Sequence, residues 1–151
     1  MGILINNIEE LKNLKLKLDG ELICTNGCFD ILHIGHVRYL QEAKKLGKYL
    51  LVGVNSDLSV KNLKGLNRPI NNEQNRAELL NALNCIDYTF IFNETTANNF
   101  LEFSKPDIYV KGGDYNLNEI PERDILQKLN CKVVFLQFHE GFSTTKIIDM
   151  L

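Results

Sequence analysis

The sequence lacks an apolar run approaching about 18 residues, the length that a membrane-spanning helix needs. Its first residues lack the basic stretch and the small-residue cleavage site of an export signal. The four cysteines form no Cys-x-x-Cys pair, which favours reduced thiols over a disulfide or zinc framework. The net charge of −2 argues against a broad basic surface for duplex nucleic acid. We therefore expect a cytoplasmic protein with no membrane or nucleic-acid partner.

The length of 151 residues suits one compact domain, and the chain has no internal repeat and no Pro/Gly/Ser-rich linker. Hydrophobic residues make up 44% and charged residues 24%, which is typical of globular proteins. We therefore expect a single domain over residues 1–151. Ile8, Leu11 and Leu18 have helix-compatible spacing, which predicts that residues 1–20 form a short helix packed on that domain.

Short apolar runs alternate with helical patterns along the rest of the chain. The runs are rich in β-branched and aromatic residues, as in strands that are buried on both faces of a parallel sheet. The alternation predicts an α/β fold with a doubly wound, open parallel sheet of about five strands. The predicted strands cover 22–24, 50–54, 88–92, 108–110 and 133–136. The predicted helices cover 35–46, 73–84, 96–104 and 121–129, with a last one from about 144. Ligands bind such sheets beyond the carboxyl ends of the strands.

Polar residues follow the first predicted strand, from Thr25 to Asp30, and a helix then opens between His33 and His36. Because the two histidines are three residues apart, their rings can lie on one side of the first helical turn. Gly35 lets a ligand approach the backbone, and the free N–H groups of a helix start suit a phosphate. Two alternatives stay open at this point: a metal site, for which no third ligand lies nearby in sequence, and ordinary capping or buried histidines.

Several cations follow the second predicted strand. Lys61, Lys64 and Arg68 lie in a segment that is predicted to be a loop, where solvated basic residues are common. Arg76 lies on the apolar stripe of the next helix, in its first turn, where a charged residue is unusual. Because the first turn of a helix in a βα unit lies at the ligand edge of the sheet, we expect Arg76 to point into the crevice. A ligand role for Arg76 is therefore preferred to a structural salt bridge.

Two further segments end at the same edge of the predicted sheet. The fourth strand is followed by Lys111, Gly112, Gly113 and Asp114. Paired glycines let a flat ligand reach the backbone, although they equally suit a plain turn. The last helix opens with three hydroxyl residues, Ser143, Thr144 and Thr145. Three hydroxyls exceed what one helix cap requires, which predicts a second anion-binding helix start. Two helix starts, several cations and two histidines at one crevice indicate a polyphosphate ligand.

Taken in order, these segments resemble the cytidylyltransferase-like nucleotidyltransferases, and within them the branch that adenylylates heptose 1-phosphate. The resemblance covers roughly residues 22–149 and depends most on 26–36 and 141–145. It implies a Rossmann-like nucleotidyltransferase fold that transfers AMP from ATP, with Mg²⁺, to a heptose 1-phosphate. The products would be ADP-heptose and pyrophosphate, for lipopolysaccharide or another surface glycan. It also implies that the sugar kinase is a separate protein and that the chain forms a homodimer.

The resemblance also implies roles for individual residues. The catalytic set would be His33, His36, Lys64 and Arg76, with the imidazoles donating to the ATP phosphates. The nucleotide-binding set would be Thr25, Asn26, Gly27, Phe29, His33, Gly35, His36, Lys111, Gly112, Gly113, Asp114, Ser143, Thr144 and Thr145. The sugar phosphate would be bound by Asp30, Lys61 and Arg68. No side chain is assigned as a metal ligand.

Other members of this family remain alternatives. A glycerol-3-phosphate cytidylyltransferase would use CTP, but relatives of that kind carry an Arg where this chain has Phe138 and an acidic residue where it has Gly113. Coenzyme A and nicotinamide adenylyltransferases usually have Pro where this chain has Ile31. One class of aminoacyl-tRNA synthetases shares the string from His33 to His36 but needs a much larger body. A non-catalytic nucleotide-binding module is the alternative outside the enzymes.

Overall fold

The computed structural model describes residues 1–137 and 143–151, in which six parallel strands form one sheet. The strands are β1 (Ile3–Ile5), β2 (Leu22–Gly27), β3 (Tyr49–Asn55), β4 (Tyr88–Phe92), β5 (Ile108–Gly112) and β6 (Lys132–Leu136). Their order across the sheet is β1-β4-β3-β2-β5-β6. The predicted α/β parallel sheet is confirmed, and the expected count of about five strands is corrected to six in the described chain.

The extra strand lies where the sequence predicted only a helix. Ile3–Ile5 pairs in parallel with Tyr88 to Phe90 at one edge of the sheet. The helix that follows is shorter than predicted for residues 1–20: it runs from Ile8 to Leu14, with a 3₁₀ turn over Lys15–Lys17. A three-residue edge strand is too short to produce a recognisable period in the sequence.

Seven helices lie between or after the strands in the described chain. They are α1 (Ile8–Leu14), α2 (Ile34–Lys44), α3 (Asp57–Lys64), α4 (Glu73–Asn81), α5 (Asn98–Ser104), α6 (Arg123–Lys128) and α7 (Thr144–Asp149). Helix α3 replaces a predicted loop. Ser56 caps it by accepting a hydrogen bond from the Ser59 N–H, and the left-handed backbone of Gly65 (φ 105°) ends it. Lys61 and Lys64 therefore project from one short helix rather than from a loop.

The sheet separates two apolar cores. The residues of one core include Leu11, Phe100, Leu101, Tyr109 and Leu126 from the side of α1, α5 and α6. The residues of the other include Tyr39, Leu40, Val52, Leu80 and Val110 from the side of α2 and α4. The neighbours Tyr109 and Val110 point to opposite cores, as alternation along a strand requires. Both faces of the parallel sheet are thus covered by helices.

The strand order reverses between β2 and β5. The chain passes from β2 to β3 on one side, and from β5 to β6 on the other. The carboxyl ends of β2 and β5 therefore border the crevice in which open α/β sheets bind ligands. No helix among residues 1–137 and 143–151 combines the length and apolar character that crossing a membrane requires.

Candidate functional site

A cavity of about 630 Å³ lies beyond the carboxyl ends of β2, β3 and β5. The predicted site residues in its wall are Asn26, Gly27, Phe29, Asp30, His33, His36, Lys64, Arg68, Lys111, Gly112, Ser143, Thr144 and Thr145. These residues come from four separate segments of the chain, 26–36, 64–68, 111–112 and 143–145. The structure thus brings most of the residues that the sequence singled out to one cavity, at the edge of the sheet where it was expected.

The other predicted site residues lie behind or outside the described cavity wall. Thr25 is buried, with its hydroxyl 2.8 Å from the hydroxyl of Tyr39, and Gly35 is buried in the first turn of α2. Lys61 is exposed on α3. Gly113 lies under the Tyr115 ring, where an added Cβ would come within 2.7 Å of the ring. Asp114 accepts a hydrogen bond from the Gln137 amide. Direct ligand contacts predicted for these five residues are therefore not supported by their positions. Gly141, Phe142 and Phe138 lie outside the described residues.

His33 and His36 form a stacked pair at the start of α2. Their ring centroids are 3.8 Å apart with an angle of 23° between the planes. The His33 backbone N–H donates to His36 Nδ1 at 3.3 Å, which fixes the second ring against the helix start. The edge of Phe29, a buried residue with a left-handed backbone (φ 49°), packs against His36 with centroids 5.3 Å apart. The predicted placement of both imidazoles on one side of the first turn is confirmed.

Both imidazoles are neutral at physiological pH. Burial lowers the pKa of His36 to about 4, and the neighbouring His33 lowers it further in the same direction. Burial also lowers the pKa of His33. Because His36 Nδ1 accepts the His33 N–H, the single proton of neutral His36 is carried by Nε2. His36 therefore presents an uncharged N–H donor rather than a cation.

The lowered pKa of His36 makes stability depend on pH. Unfolded His36 binds a proton below about pH 6.5, whereas the folded residue resists protonation down to about pH 4, so acid favours unfolding in this window. We expect the His36 contribution to the free energy of unfolding to fall by about 2–3 kcal/mol between pH 7 and pH 4. Urea unfolding of the wild type and of His36→Gln at several pH values measures it. Equal pH slopes for the two proteins would contradict the expectation.

The start of α7 closes the cavity beside the imidazoles. Thr144 Oγ1 donates to the carbonyl oxygen of Ile31 at 2.9 Å, which ties the last helix to the segment that precedes α2. Ser143 caps α7 by accepting a hydrogen bond from the Lys146 N–H at 3.0 Å, so its hydroxyl hydrogen is still available to a ligand. The two helix starts therefore meet at one cavity, as the sequence predicted.

Asp30 organises the loop that carries Arg68. Its fully buried carboxylate accepts hydrogen bonds from Arg68 Nε at 2.7 Å and from the Ile70 and Asn71 N–H groups at 2.8 and 2.9 Å. Burial alone would raise the pKa of Asp30, but the backbone donors of Asn71 and Ile70 and then Arg68 outweigh it and lower the pKa. The carboxylate is thus occupied within the protein. A contact between Asp30 and the sugar phosphate stays a prediction.

Arg76 does not point into the cavity. It is fully buried, and it donates to the carbonyl oxygens of Cys28, Asn55 and Asn71 at 2.7, 2.6 and 2.9 Å and to Asp57 at 2.8 Å. It thereby joins the carboxyl ends of β2 and β3 to α3 and α4. The prediction of a ligand role is corrected, because four of its five N–H groups are used within the fold.

Tyr109 and Glu122 are two of the cavity residues that the sequence patterns did not indicate. Tyr109 is buried under the cavity, and its hydroxyl donates a hydrogen bond to Asn26 Oδ1. This bond orients the side chain of Asn26 near the end of β2. Glu122 is only 2% exposed and lies 3.4 Å from Lys111 Nζ. Tyr109 lies within a strand pattern that predicts core, and Glu122 lies in a charged run that predicts a solvated helix start. Neither pattern distinguishes a cavity residue.

The stacked imidazoles and the start of α7 lie together at the carboxyl edge of the parallel sheet, where open α/β sheets bind ligands. Comparison with protein families shows which family the chain belongs to. The sequence model described as Cytidylyltransferase-like matches residues 24–150. The chain belongs to this cytidylyltransferase-like family.

Curated relatives resemble nearly the whole chain. The Bifunctional protein HldE of Campylobacter jejuni subsp. doylei is 48% identical over 147 residues, which are 97% of this chain and 31% of that protein. The Bifunctional protein HldE of a Nitratiruptor species is 52% identical over 130 residues, which are 86% of this chain and 27% of that protein. The chain thus spans less than a third of the length of these relatives.

Solved structures share the architecture. A lipopolysaccharide core biosynthesis protein from Thermoplasma volcanium is 30% identical, with a TM-score of 0.65 over 82% of this chain and 99% of that chain. A pantothenate synthetase from Thermus thermophilus has a TM-score of 0.68 over 97% of this chain and 67% of that chain, at 12% identity. The second likeness concerns the fold alone.

Proposed function

We propose that this protein transfers AMP from ATP to the phosphate of a heptose 1-phosphate, giving ADP-heptose and releasing pyrophosphate. The observation that carries the proposal is the stacked pair of neutral imidazoles in the same cavity wall as Thr144, whose hydroxyl is bonded to Ile31. The names of the relatives support the acceptor: one is a lipopolysaccharide core biosynthesis protein, and others are called Bifunctional protein HldE. A homodimer and a cytoplasmic location, where ATP is supplied, belong to the same proposal.

In the proposed reaction a phosphate oxygen of the sugar attacks the α-phosphorus of ATP in line, and the O–P bond to pyrophosphate breaks. The attacking phosphate is already ionised, so the reaction needs no strong general base and no protein nucleophile. Catalysis then consists of positioning and of stabilising the charge that develops on the phosphate oxygens. His36 Nε2–H suits this task, because an uncharged donor held in a fixed orientation needs no rearrangement during the reaction.

Two cations at the cavity would neutralise the remaining negative charge of the substrate phosphates. Lys64 at the end of α3 and Arg68 both lie in the cavity wall. The Arg68 Nε is used by Asp30, which leaves its terminal guanidinium N–H groups for a ligand in that direction. The hydroxyl hydrogen of Ser143 adds a donor at the opposite side of the cavity. These groups would bind the triphosphate and the acceptor phosphate side by side.

We propose that Mg²⁺ enters as the complex with ATP and is held by the phosphate oxygens. Two carboxylates lie in the described cavity wall, and both have partners within the protein. Asp30 accepts hydrogen bonds from Arg68 and from the N–H groups of Ile70 and Asn71, and Glu122 is paired with Lys111. Magnesium is commonly bound through substrate phosphates and water with few protein ligands.

A panel of substrates tests the proposal. Pyrophosphate release is measured with ATP and CTP, each combined with D-glycero-β-D-manno-heptose 1-phosphate and with glycerol 3-phosphate. We expect release with ATP and the heptose phosphate at a rate at least about 10-fold above the other pairs. Preferred release with CTP and glycerol 3-phosphate would identify the cytidylyltransferase alternative. Release with none of the pairs, together with measurable ATP binding, would favour a non-catalytic nucleotide-binding module.

The two lysines of α3 should differ in importance. Lys64 lies in the cavity wall, whereas Lys61 lies three residues earlier on the same helix and outside that wall. A hydrogen bond to a charged group contributes about 1.5–3 kcal/mol, so Lys64→Met should lower kcat/KM by about 10- to 100-fold. Lys61→Met should lower it by less than about twofold, as for a surface charge. Equal losses in the two variants would restore the predicted role of Lys61 in binding the sugar phosphate.

A further inference from the structure

One wall of the cavity carries a buried carboxylate that the proposed reaction does not use. Glu122 lies in the segment between β5 and α6, lines the cavity and is 2% exposed. Its contacts are long: Glu122 Oε2 is 3.4 Å from Lys111 Nζ, and Oε1 is 3.4 Å from the Ala97 N–H. Charge-assisted hydrogen bonds are usually about 2.7–2.9 Å long, and a carboxylate can accept about four of them. Glu122 therefore retains unused capacity to accept hydrogen bonds.

Glu122 and the two imidazoles reach the cavity from elements on opposite faces of the sheet. His33 and His36 begin α2, which packs on one face of the sheet, whereas Glu122 contacts the start of α5, which packs on the other face. A carboxylate repels phosphate oxygens, so we expect the part of a substrate that contacts Glu122 to carry hydrogen-bond donors such as hydroxyl groups. Thr95 and Tyr115 lie in the same cavity wall and add polar atoms there.

We propose that Glu122 is a specificity-determining residue that accepts hydrogen bonds from the hydroxyl groups of a sugar ring, with Lys111 holding the carboxylate in place. The inference rests on the proposed function, because both of its substrates contain such a ring: the ribose of ATP and the sugar of the acceptor phosphate. A carboxylate that accepts from two adjacent hydroxyls rejects analogues that lack one of them, because the unpaired buried acceptor is costly.

The experiment measures the KM for each substrate separately in the wild type and in Glu122→Gln, which keeps the shape of the side chain and removes its charge. We expect an increase of about 10-fold or more in one of the two KM values. If the KM for ATP rises, and the difference between the two proteins disappears with 2′-deoxy-ATP or 3′-deoxy-ATP, the carboxylate binds the ribose. If the KM for the sugar phosphate rises and that for ATP does not, it binds the acceptor.

A matched control is Asp107, which directly precedes β5, the strand that carries Lys111. Asp107 also pairs with a lysine, Lys15, and accepts a backbone N–H from Leu22, but it lies outside the described cavity wall. Asp107→Asn should lower the melting temperature and leave both KM values unchanged. Changes below twofold in both KM values of Glu122→Gln, with or without a lower melting temperature, would overturn the inference.

If the proposed function is wrong, the wild-type protein releases no pyrophosphate with any substrate pair. This result is distinct from a failure of the inference about Glu122. Calorimetric titration of wild type and Glu122→Gln with ATP and with the heptose phosphate then tests the same residue without turnover. Weaker binding of either compound by the variant supports the inference, and equal binding of both compounds overturns it.

Discussion

Replacing His36 by alanine is expected to lower the rate of the chemical step by at least about 100-fold, because a pre-oriented donor to a developing phosphate charge is typically worth about 10²–10³ in rate. The neutral ring, its Nδ1 bonded to the His33 N–H and its face stacked on the His33 ring, is already oriented in the free protein. Single-turnover measurements with saturating ATP separate this loss from weaker binding.

Arg38 provides the control for this variant. It lies on the same helix, two residues beyond His36 and outside the described cavity wall. Arg38→Ala should keep the rate within about twofold of the wild type, as expected for a substitution away from the site. The His36→Ala protein should also keep its circular dichroism spectrum, since the two apolar cores are untouched. Turnover by His36→Ala at the wild-type rate would remove His36 from the mechanism.

Replacing Arg76 by methionine is expected to destabilise the protein by about 3–5 kcal/mol, the usual effect of removing one partner of a buried ionic network. The substitution leaves the buried carbonyl oxygen of Asn55 and the partly buried ones of Cys28 and Asn71 without their donor. For a chain of this size the melting temperature should fall by roughly 10 °C. Thermal unfolding followed by circular dichroism measures the effect.

Two comparisons define what Arg76 does. Asp57→Asn removes the charge of its carboxylate partner but keeps an acceptor, and Asp57 is partly exposed, so a smaller loss of stability is expected. The specific activity of the folded fraction of Arg76→Met, measured well below its melting temperature, should stay within about 10-fold of the wild type. A variant that melts like the wild type but has lost its activity would restore the ligand role that the sequence suggested for Arg76.

The case of Arg76 shows where sequence patterns stop being informative. Its place on an apolar stripe correctly marked an unusual arginine in the first turn of α4. A guanidinium at that place can reach either a ligand or the free carbonyl oxygens at the ends of neighbouring strands. Which of these it reaches depends on the distance between α4 and the ends of β2 and β3, and a linear pattern does not contain that distance.

Other features were predicted or missed depending on whether a local sequence pattern indicates them. Strands β2 to β6 were predicted because burial on both faces gives continuous apolar runs, which are visible locally. Strand β1 and helix α3 were missed because three residues and a lysine-rich turn have no distinct period. The hydroxyl run at 143–145 was predicted to suit anions, and the structure adds that Thr144 is bonded to Ile31. The pairing of Glu122 with Lys111 depends on how α6 returns to the sheet.

The bond between Thr144 and Ile31 joins residues 113 positions apart, and all six strands precede α7 in the chain. During synthesis on the ribosome, the residues of the sheet and of both apolar cores are therefore made before Ser143, Thr144 and Thr145. Contacts of such high sequence separation form late, after the loop entropy of the intervening chain has been lost. A nascent chain can thus fold most of its interior while the cavity still lacks the wall formed by Ser143, Thr144 and Thr145, so we expect ligand binding there only after the last helix has docked.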